Sequence, residues 1–138
     1  SNTFSQHLTI RVGFDPALSR RLIAGSDMLL LPSRFEPCGL TQLYAMRYGT
    51  VPVVHAVGGL RDTVIDPGDA GLAQGKGTGF CFEHPTAEGL HWALSRALRM
   101  YREDPQAWQT IVHTGMSQDF SWTRSARAYL NLYLRALA

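Results

Sequence analysis

Short apolar runs, separated by glycine turns and by segments of helical spacing, characterise the first two thirds of the chain. Residues 28–31 and 51–57 have the length and composition of buried parallel strands. Residues 7–14 alternate apolar and polar side chains, and residues 78–82 form a last short apolar run. The pattern therefore predicts four strands.

The segments between and after these strands carry apolar side chains at helical spacing. Helices are predicted over residues 17–24 and 39–48 and, later in the chain, from residues 86, 105 and 122 onward. Asp15 followed by Pro16 is typical of a helix start. Residues 66–79 contain five glycines and one proline, so we expect a mobile surface loop there.

Alternation of strands and helices predicts an α/β fold, a Rossmann-like parallel sheet covered by helices on both faces. In such sheets ligands bind at the carboxyl ends of the strands. The glycine turns at residues 38–39 and 58–59 each follow a predicted strand. We therefore expect the two turns to share one edge of a cleft.

Composition narrows the classes of function. The 138 residues, of which 45% are hydrophobic and 17% charged, suit one globular domain. The formal net charge of +2 is too small to indicate nucleic acid or a membrane surface as a partner. The two cysteines have no metal-ligand spacing, so no metal site is expected. We expect a reducing compartment and therefore no disulfide.

The strongest candidate chemistry lies in the loop before the helix at 39–48. Glu36 stands two residues before the run Cys38-Gly39-Leu40-Thr41. Backbone amides at a helix start can hold an anion, while a carboxylate accepts hydroxyl hydrogen bonds as sugar recognition requires. The competing interpretation, equally compatible with this pattern alone, is a solvated loop acid beside a simple turn glycine.

Other candidates have weaker signals. The five histidines lack metal-ligand spacing and are expected to be structural, with His55 singled out because it ends a strand near the predicted cleft. Cys38 is expected to be a packed thiol and not a nucleophile. The three tryptophans are expected to pack between helices. Arg34 and Arg47 suit structural pairing slightly better than phosphate binding.

A longer pattern carries a resemblance to a known family. Residues 32–43 are Pro-Ser-Arg-Phe-Glu-Pro-Cys-Gly-Leu-Thr-Gln-Leu, residues 45–54 are Ala-Met-Arg-Tyr-Gly-Thr-Val-Pro-Val-Val, and residues 58–64 are Gly-Gly-Leu-Arg-Asp-Thr-Val. This pattern resembles the C-terminal half of bacterial glycogen synthases and plant starch synthases. Those enzymes are ADP-glucose-dependent retaining glucosyltransferases with two Rossmann-like domains, the GT-B architecture.

The resemblance implies a role for each matching residue. Glu36 matches the glutamate that binds the donor glucose hydroxyls and helps to stabilise the oxocarbenium-like transition state. Phe14 matches the aromatic position that packs on the adenine. Tyr44 stands where many relatives in the wider superfamily carry a second glutamate, and this favours ADP-glucose as the donor. The residues that match the loop meeting the sugar and the distal phosphate are Cys38, Gly39, Leu40 and Thr41.

The resemblance also implies partners and a location. Residues 1–138 correspond to part of the C-terminal donor-binding domain, so the N-terminal acceptor domain is missing and the chain alone is expected to be inactive. The implied substrates are ADP-glucose and the non-reducing end of an α-1,4-glucan, with no cofactor. The implied compartment is the bacterial cytoplasm, or the plastid stroma for a starch synthase. The alternative is a non-catalytic nucleotide- or glucan-binding module of the same fold.

An unpaired apolar surface is a further expectation. A parallel sheet without its leading strand and helix leaves an apolar edge uncovered. The last predicted helix also has an apolar side without a partner, and this side includes Tyr129, Tyr133 and Leu137. We therefore expect the chain to self-associate.

Overall fold

A three-stranded parallel sheet lies at the centre of the structure, a computed structural model that describes residues 7–137. The strands are β1 (Met28–Leu31), β2 (Val51–His55) and β3 (Phe80–Phe82), and they are adjacent in the order β1-β2-β3. Every residue of the central strand β2 is buried. The predicted class, a Rossmann-like parallel sheet with flanking helices, is confirmed.

The described part of the chain contains seven helices. They are α1 (Pro16–Ala24), α2 (Thr41–Tyr48), α3 (Gly58–Thr63), α4 (Gly68–Ala73), α5 (Ala87–Glu103), α6 (Pro105–Met116) and α7 (Trp122–Ala136). Side-chain caps explain several of the starts. Asp15 Oδ1 accepts from the N–H of Leu18 at 2.9 Å, and Asp104 Oδ1 accepts from the N–H of Ala107 at 2.9 Å. The predicted starts at residues 105 and 122 are confirmed.

Apolar side chains cover both faces of the sheet. The larger cluster joins the sheet to α5 and α6, and its ring pair is Phe80 and Trp108, with centroids 6.4 Å apart. The smaller cluster consists of Val54, Leu60 and Val64, which places α3 on the other face. Burial of both faces is what a parallel sheet requires, because its strands are apolar on both sides.

The strand predicted at residues 7–14 is absent, and that prediction is wrong. Val12 and Phe14 are 95% and 96% exposed. A strand forms only by hydrogen bonding to a neighbour, and no described strand lies beside this segment.

The surface loop predicted at residues 66–79 is also partly wrong. The segment contains α4, whose Leu72 is fully buried. Asp66, at its start, is buried because its carboxylate accepts hydrogen bonds from the N–H groups of Gly68 and Cys81. A carboxylate with such partners anchors a glycine-rich segment that composition alone assigns to the surface.

The last helix has no covering element. None of the residues of α7 is buried, although its tyrosines and leucines do form the predicted apolar side. Among the tryptophans, Trp108 packs between helices as expected, whereas Trp92 and Trp122 are exposed. None of the helices within residues 7–137 combines the length and the apolar character needed to cross a membrane.

Candidate functional site

Two glycine turns meet at the carboxyl ends of β1 and β2. The N–H of Gly59 donates to the carbonyl of Glu36 at 3.0 Å. A Cβ added to Gly58 would lie 2.0 Å from that same carbonyl oxygen, and one added to Gly59 would lie 1.7 Å from the carbonyl oxygen of Cys38. Only glycine permits backbones to approach this closely. The two turns thus share one edge of the sheet, as predicted.

The carboxylate of Glu36 lies on this edge and is half-buried. Ser33 Oγ donates to Glu36 Oε2 at 3.4 Å. A carboxylate offers about four acceptor positions on its two oxygens. Glu36 therefore keeps the capacity to accept several further hydrogen bonds from hydroxyl groups.

The start of α2, which follows the loop that carries Glu36, supplies backbone donors. Gly39 adopts a left-handed conformation with φ of 68°, and Leu40, at the N-cap position, makes no side-chain cap hydrogen bond. The first N–H groups of a helix have no partner within the helix, and the helix dipole adds partial positive charge there. The loop and the helix start can therefore hold an anion.

Gln42 links the two turns, and the sequence analysis missed it. Its side chain is fully buried, and its Nε2 donates to the carbonyl of Gly39 at 2.9 Å, to Thr63 Oγ1 at 3.1 Å and to the carbonyl of Cys38 at 3.3 Å. The available signal was its helical spacing from Ala45 and Met46, which are also buried. Because buried polar groups form hydrogen bonds, a polar residue on the inward face of a helix predicts a buried hydrogen-bond partner.

His55 connects all three strand ends. Its Nδ1 lies 2.7 Å from the carbonyl of Ser33, which follows β1, and its Nε2 lies 3.3 Å from the carbonyl of Glu83, which follows β3. The buried ring stacks on Phe82, with centroids 5.5 Å apart. His55 is thus near the cleft, as predicted, and its contacts give it a structural role.

The remaining predicted site residues are exposed. Phe14 is 96% exposed, so the structure does not bring its ring against the loop. Leu40 and Thr41 lie at the start of α2 with exposed side chains. The expectation that Cys38 is a packed thiol is wrong: the residue is exposed, because the crowding at this turn involves backbone atoms.

The two candidate arginines differ. Arg47 donates from Nη1 to the carbonyl of Met116 at 3.3 Å, so it pairs structurally, at the end of α6. Arg34 lies in the exposed part of the loop after β1. Arg47 therefore follows the expectation of structural pairing.

A buried ion-pair network lies beside β3, and the sequence analysis did not identify it. Arg96 donates from Nη1 to Asp66 Oδ2 at 2.7 Å and from Nη2 to Asp66 Oδ1 at 2.9 Å, and from Nε to Asp69 Oδ1 at 2.7 Å. Its guanidinium also lies 4.5 Å from the centre of the Trp92 ring. The network lines a groove of about 910 Å³ between α5, the start of α4 and the end of β3.

Electrostatics in this network follow from burial and hydrogen bonding. Burial raises the pKa of Asp66, but hydrogen bonds from Arg96 and from the N–H of Cys81 outweigh it and hold that pKa below its ordinary value. Burial, and then the carboxylates of Asp66 and Glu83, raise the pKa of the Cys81 thiol to about 12. A thiol with a raised pKa holds little of the reactive thiolate at neutral pH, so Cys81 is a poor candidate for a nucleophile.

Comparison with known proteins identifies the family. Residues 6–111 match the model of the glycosyl transferases group 1 family. The chain belongs to this family. It is 50% identical over 130 residues to the glycogen synthase of Thioalkalivibrio sulfidiphilus, covering 94% of this chain and 27% of the relative. It is 54% identical over 123 residues to the glycogen synthase of Paramagnetospirillum magneticum, covering 89% of this chain and 25% of the relative.

Two solved structures share the fold. The catalytic domain of starch synthase IV from Arabidopsis thaliana, bound to ADP and acarbose, matches with a TM-score of 0.82 and 42% identity over 97% of this chain and 28% of that chain. The sucrose-phosphate synthase of Thermosynechococcus elongatus matches with a TM-score of 0.67 and 27% identity over 96% of this chain and 31% of that chain. The chain thus spans about a quarter of the length of the curated relatives it matches.

Proposed function

We propose that this chain is the donor-sugar part of a retaining glucosyltransferase that moves glucose from ADP-glucose to the non-reducing end of an α-1,4-glucan. The observation that carries the proposal is the meeting of the two glycine turns, which fixes the loop that carries Glu36 and leads into the start of α2. The relatives named glycogen synthase, and the starch synthase bound to ADP and acarbose, support it.

Each part of the donor has a complementary group in this arrangement. Glu36 accepts hydroxyl hydrogen bonds from the glucose and stabilises the positive charge that develops at the anomeric carbon. The amides of the loop formed by Cys38, Gly39, Leu40 and Thr41 hold the distal phosphate, and the α2 dipole stabilises the negative charge of the departing ADP. The exposed ring of Phe14 supplies a stacking face for the adenine.

The rest of the machinery belongs to the remainder of a longer protein. We assign residues 1–138 to part of the C-terminal donor-binding domain, with an N-terminal domain supplying the glucan-side contacts. ADP-glucose is a substrate in this scheme, and no resident cofactor takes part. The proposed compartment is the bacterial cytoplasm, in line with the bacterial relatives, or the plastid stroma for a starch synthase.

Steady-state transfer rates in the full-length protein test this function. With a glucan acceptor, the specificity constant for ADP-glucose should exceed that for UDP-glucose by at least about tenfold, a difference of about 1.4 kcal/mol in transition-state binding. Equal specificity constants would contradict the donor assignment. Binding of ADP-glucose without any transfer would instead support a non-catalytic nucleotide-binding module.

A further inference from the structure

The side chain of Gln42 takes no part in the scheme above, yet it makes more hydrogen bonds between the two turns than any other described side chain. We infer that Gln42 is a positioning residue, which sets the orientation of the donor-loop amides by clamping that loop to the Gly58-Gly59 turn. The inference rests on the proposed function, because it assigns Gln42 to the same donor site.

The clamp is a continuous chain of hydrogen bonds. Gln42 Nε2 donates to the carbonyls of Cys38 and Gly39 on one side and to Thr63 Oγ1 on the other. Thr63 Oγ1 donates in turn to the carbonyl of Gly59 at 2.5 Å. One buried amide thereby connects the loop after β1 to the turn after β2, in addition to the direct contact between Gly59 and Glu36.

Peptide geometry transmits this clamp to the donor amides. The peptide unit is planar, so fixing a carbonyl also fixes the N–H of the next residue. The carbonyl of Cys38 belongs to the peptide unit that carries the N–H of Gly39, and the carbonyl of Gly39 belongs to the unit that carries the N–H of Leu40. Gln42 therefore orients two of the amides proposed to meet the sugar and the phosphate.

The two ends of the Gln42 amide differ in their surroundings. Gln42 Oε1 is buried and has no hydrogen-bond partner among the described residues. An oxygen left in that state is unfavourable, whereas the amide nitrogen of the same side chain donates to the carbonyls of Cys38 and Gly39. Oε1 also lies against Gly39, since a Cβ added there would be 2.6 Å from it. Exceptions to full hydrogen bonding are typical of functional sites.

Two variants of the full-length protein test the inference. Gln42→Met keeps the length of the side chain and removes the donor, and Gln42→Glu keeps the shape but places an acceptor opposite two carbonyls. In both, we expect kcat/KM for ADP-glucose to fall about 10²-fold, the effect of displacing a reacting group by about 1 Å. KM for the glucan should change less than about twofold. Gln109→Met on the exposed side of α6 is the matched control.

Thr63→Val removes the hydroxyl group that joins Gln42 to the carbonyl of Gly59 and therefore breaks the same clamp at its other end. If Gln42 and Thr63 act as one bridge, the losses in kcat/KM of the two single variants will not add in the double variant. Additive losses, or a Gln42→Met protein with the wild-type kcat/KM for ADP-glucose, would overturn the inference.

Hydrogen exchange separates this inference from the proposed function. In Gln42→Met, amide exchange in a peptide covering residues 36–43 should become faster by more than the loss of global stability accounts for. If the wild-type protein transfers no glucose, the proposed function fails, and the exchange measurement still decides the clamp. Unchanged exchange in that peptide would show that Gln42 does not hold the loop.

Discussion

The N–H of Gly59 and the carbonyl of Glu36 form a hydrogen bond of 3.0 Å between the turns that follow two neighbouring strands. This contact ties the position of the candidate catalytic loop to a turn more than twenty residues later in the chain. Backbone contacts therefore hold the loop. Substitutions that disturb these contacts should lower the activity more than they lower the stability of the core.

Gly59→Ala should disturb the loop directly. The added Cβ would meet the oxygen, carbon and Cα of Cys38 at 1.7, 2.4 and 2.7 Å, and none of these backbone atoms can rotate away. In the full-length protein we expect a loss of transfer rate of about 10²-fold or more. Gly115→Ala is the control, since its nearest neighbour would be at 3.5 Å and alanine favours a helix. A Gly59→Ala protein with normal rates would show that the two turns move independently.

Glu36→Gln and Glu36→Ala should reduce turnover by about 10²–10³, as removal of a preorganised transition-state contact does. Thermal stability should hardly change, because the side chain is half-buried in a loop with one long hydrogen bond to Ser33. Steady-state rates and a melting curve measure the two effects. The exposed Glu103→Gln on α5 should be neutral in both. Wild-type turnover in Glu36→Ala would reduce Glu36 to a solvated loop acid.

Arg96→Met should destabilise the fold by about 3–5 kcal/mol, because it leaves the carboxylate of Asp66 buried without its cation. The side chains of this pair are only 9% and 8% exposed. Urea unfolding of residues 1–138 measures the loss. Arg102→Met, at an exposed position of the same helix, should change the free energy of unfolding by less than about 0.5 kcal/mol. Equal losses in Arg96→Met and Arg102→Met would mean that the network contributes little to the free energy of unfolding.

The same pair predicts a pH dependence. The folded pKa of Asp66 is lowered, since burial raises it but the hydrogen bonds from Arg96 and from backbone N–H groups prevail. Its stabilisation is therefore complete above the unfolded pKa of about 3.9 and is lost as the pH falls through the lower folded pKa. In acid unfolding, Asp66→Asn should be less stable than the wild type at pH 7, with a smaller difference near pH 3. A difference independent of pH would contradict this.

The two thiols should differ in reactivity. Cys38 is exposed, whereas the pKa of Cys81 is raised to about 12, so its reactive thiolate is scarce at pH 8. Iodoacetamide should modify Cys38 in the folded chain and leave Cys81 unmodified, as peptide mass spectrometry would report. Unfolding in urea should make both reactive, and Cys38→Ser should remove the native signal. Rapid native labelling of Cys81 would show that its burial is transient.

Residues 1–138 should self-associate through α7, whose tyrosines and leucines are uncovered. Sedimentation velocity should detect a dimer or larger species at micromolar concentration. Leu134→Gln, within the continuous apolar side, should shift the chain toward monomer. Leu132 is equally exposed but lies outside that side, so Leu132→Gln should have a smaller effect. A monodisperse wild-type monomer would contradict this expectation.

Features that depend on neighbouring residues were predictable from the sequence. β1 and β2 follow from their apolar runs, α1 and α6 start at an aspartate followed by proline, and the two glycine turns follow from their position after strands. The motif around Glu36 likewise indicated the family, because it is contiguous in the chain. Local chemistry determines such features, so a single sequence suffices to find them.

Features that depend on distant partners required the tertiary structure. The alternating segment at residues 7–14 lacks a described neighbouring strand, so its period-2 pattern formed no strand. Gln42 meets Thr63 across 21 residues, and Arg96 meets Asp66 across 30. Each of these polar side chains looks like an ordinary helix residue in the sequence. Its burial, and therefore its role, is set by which donor or acceptor the folded chain brings within about 3 Å.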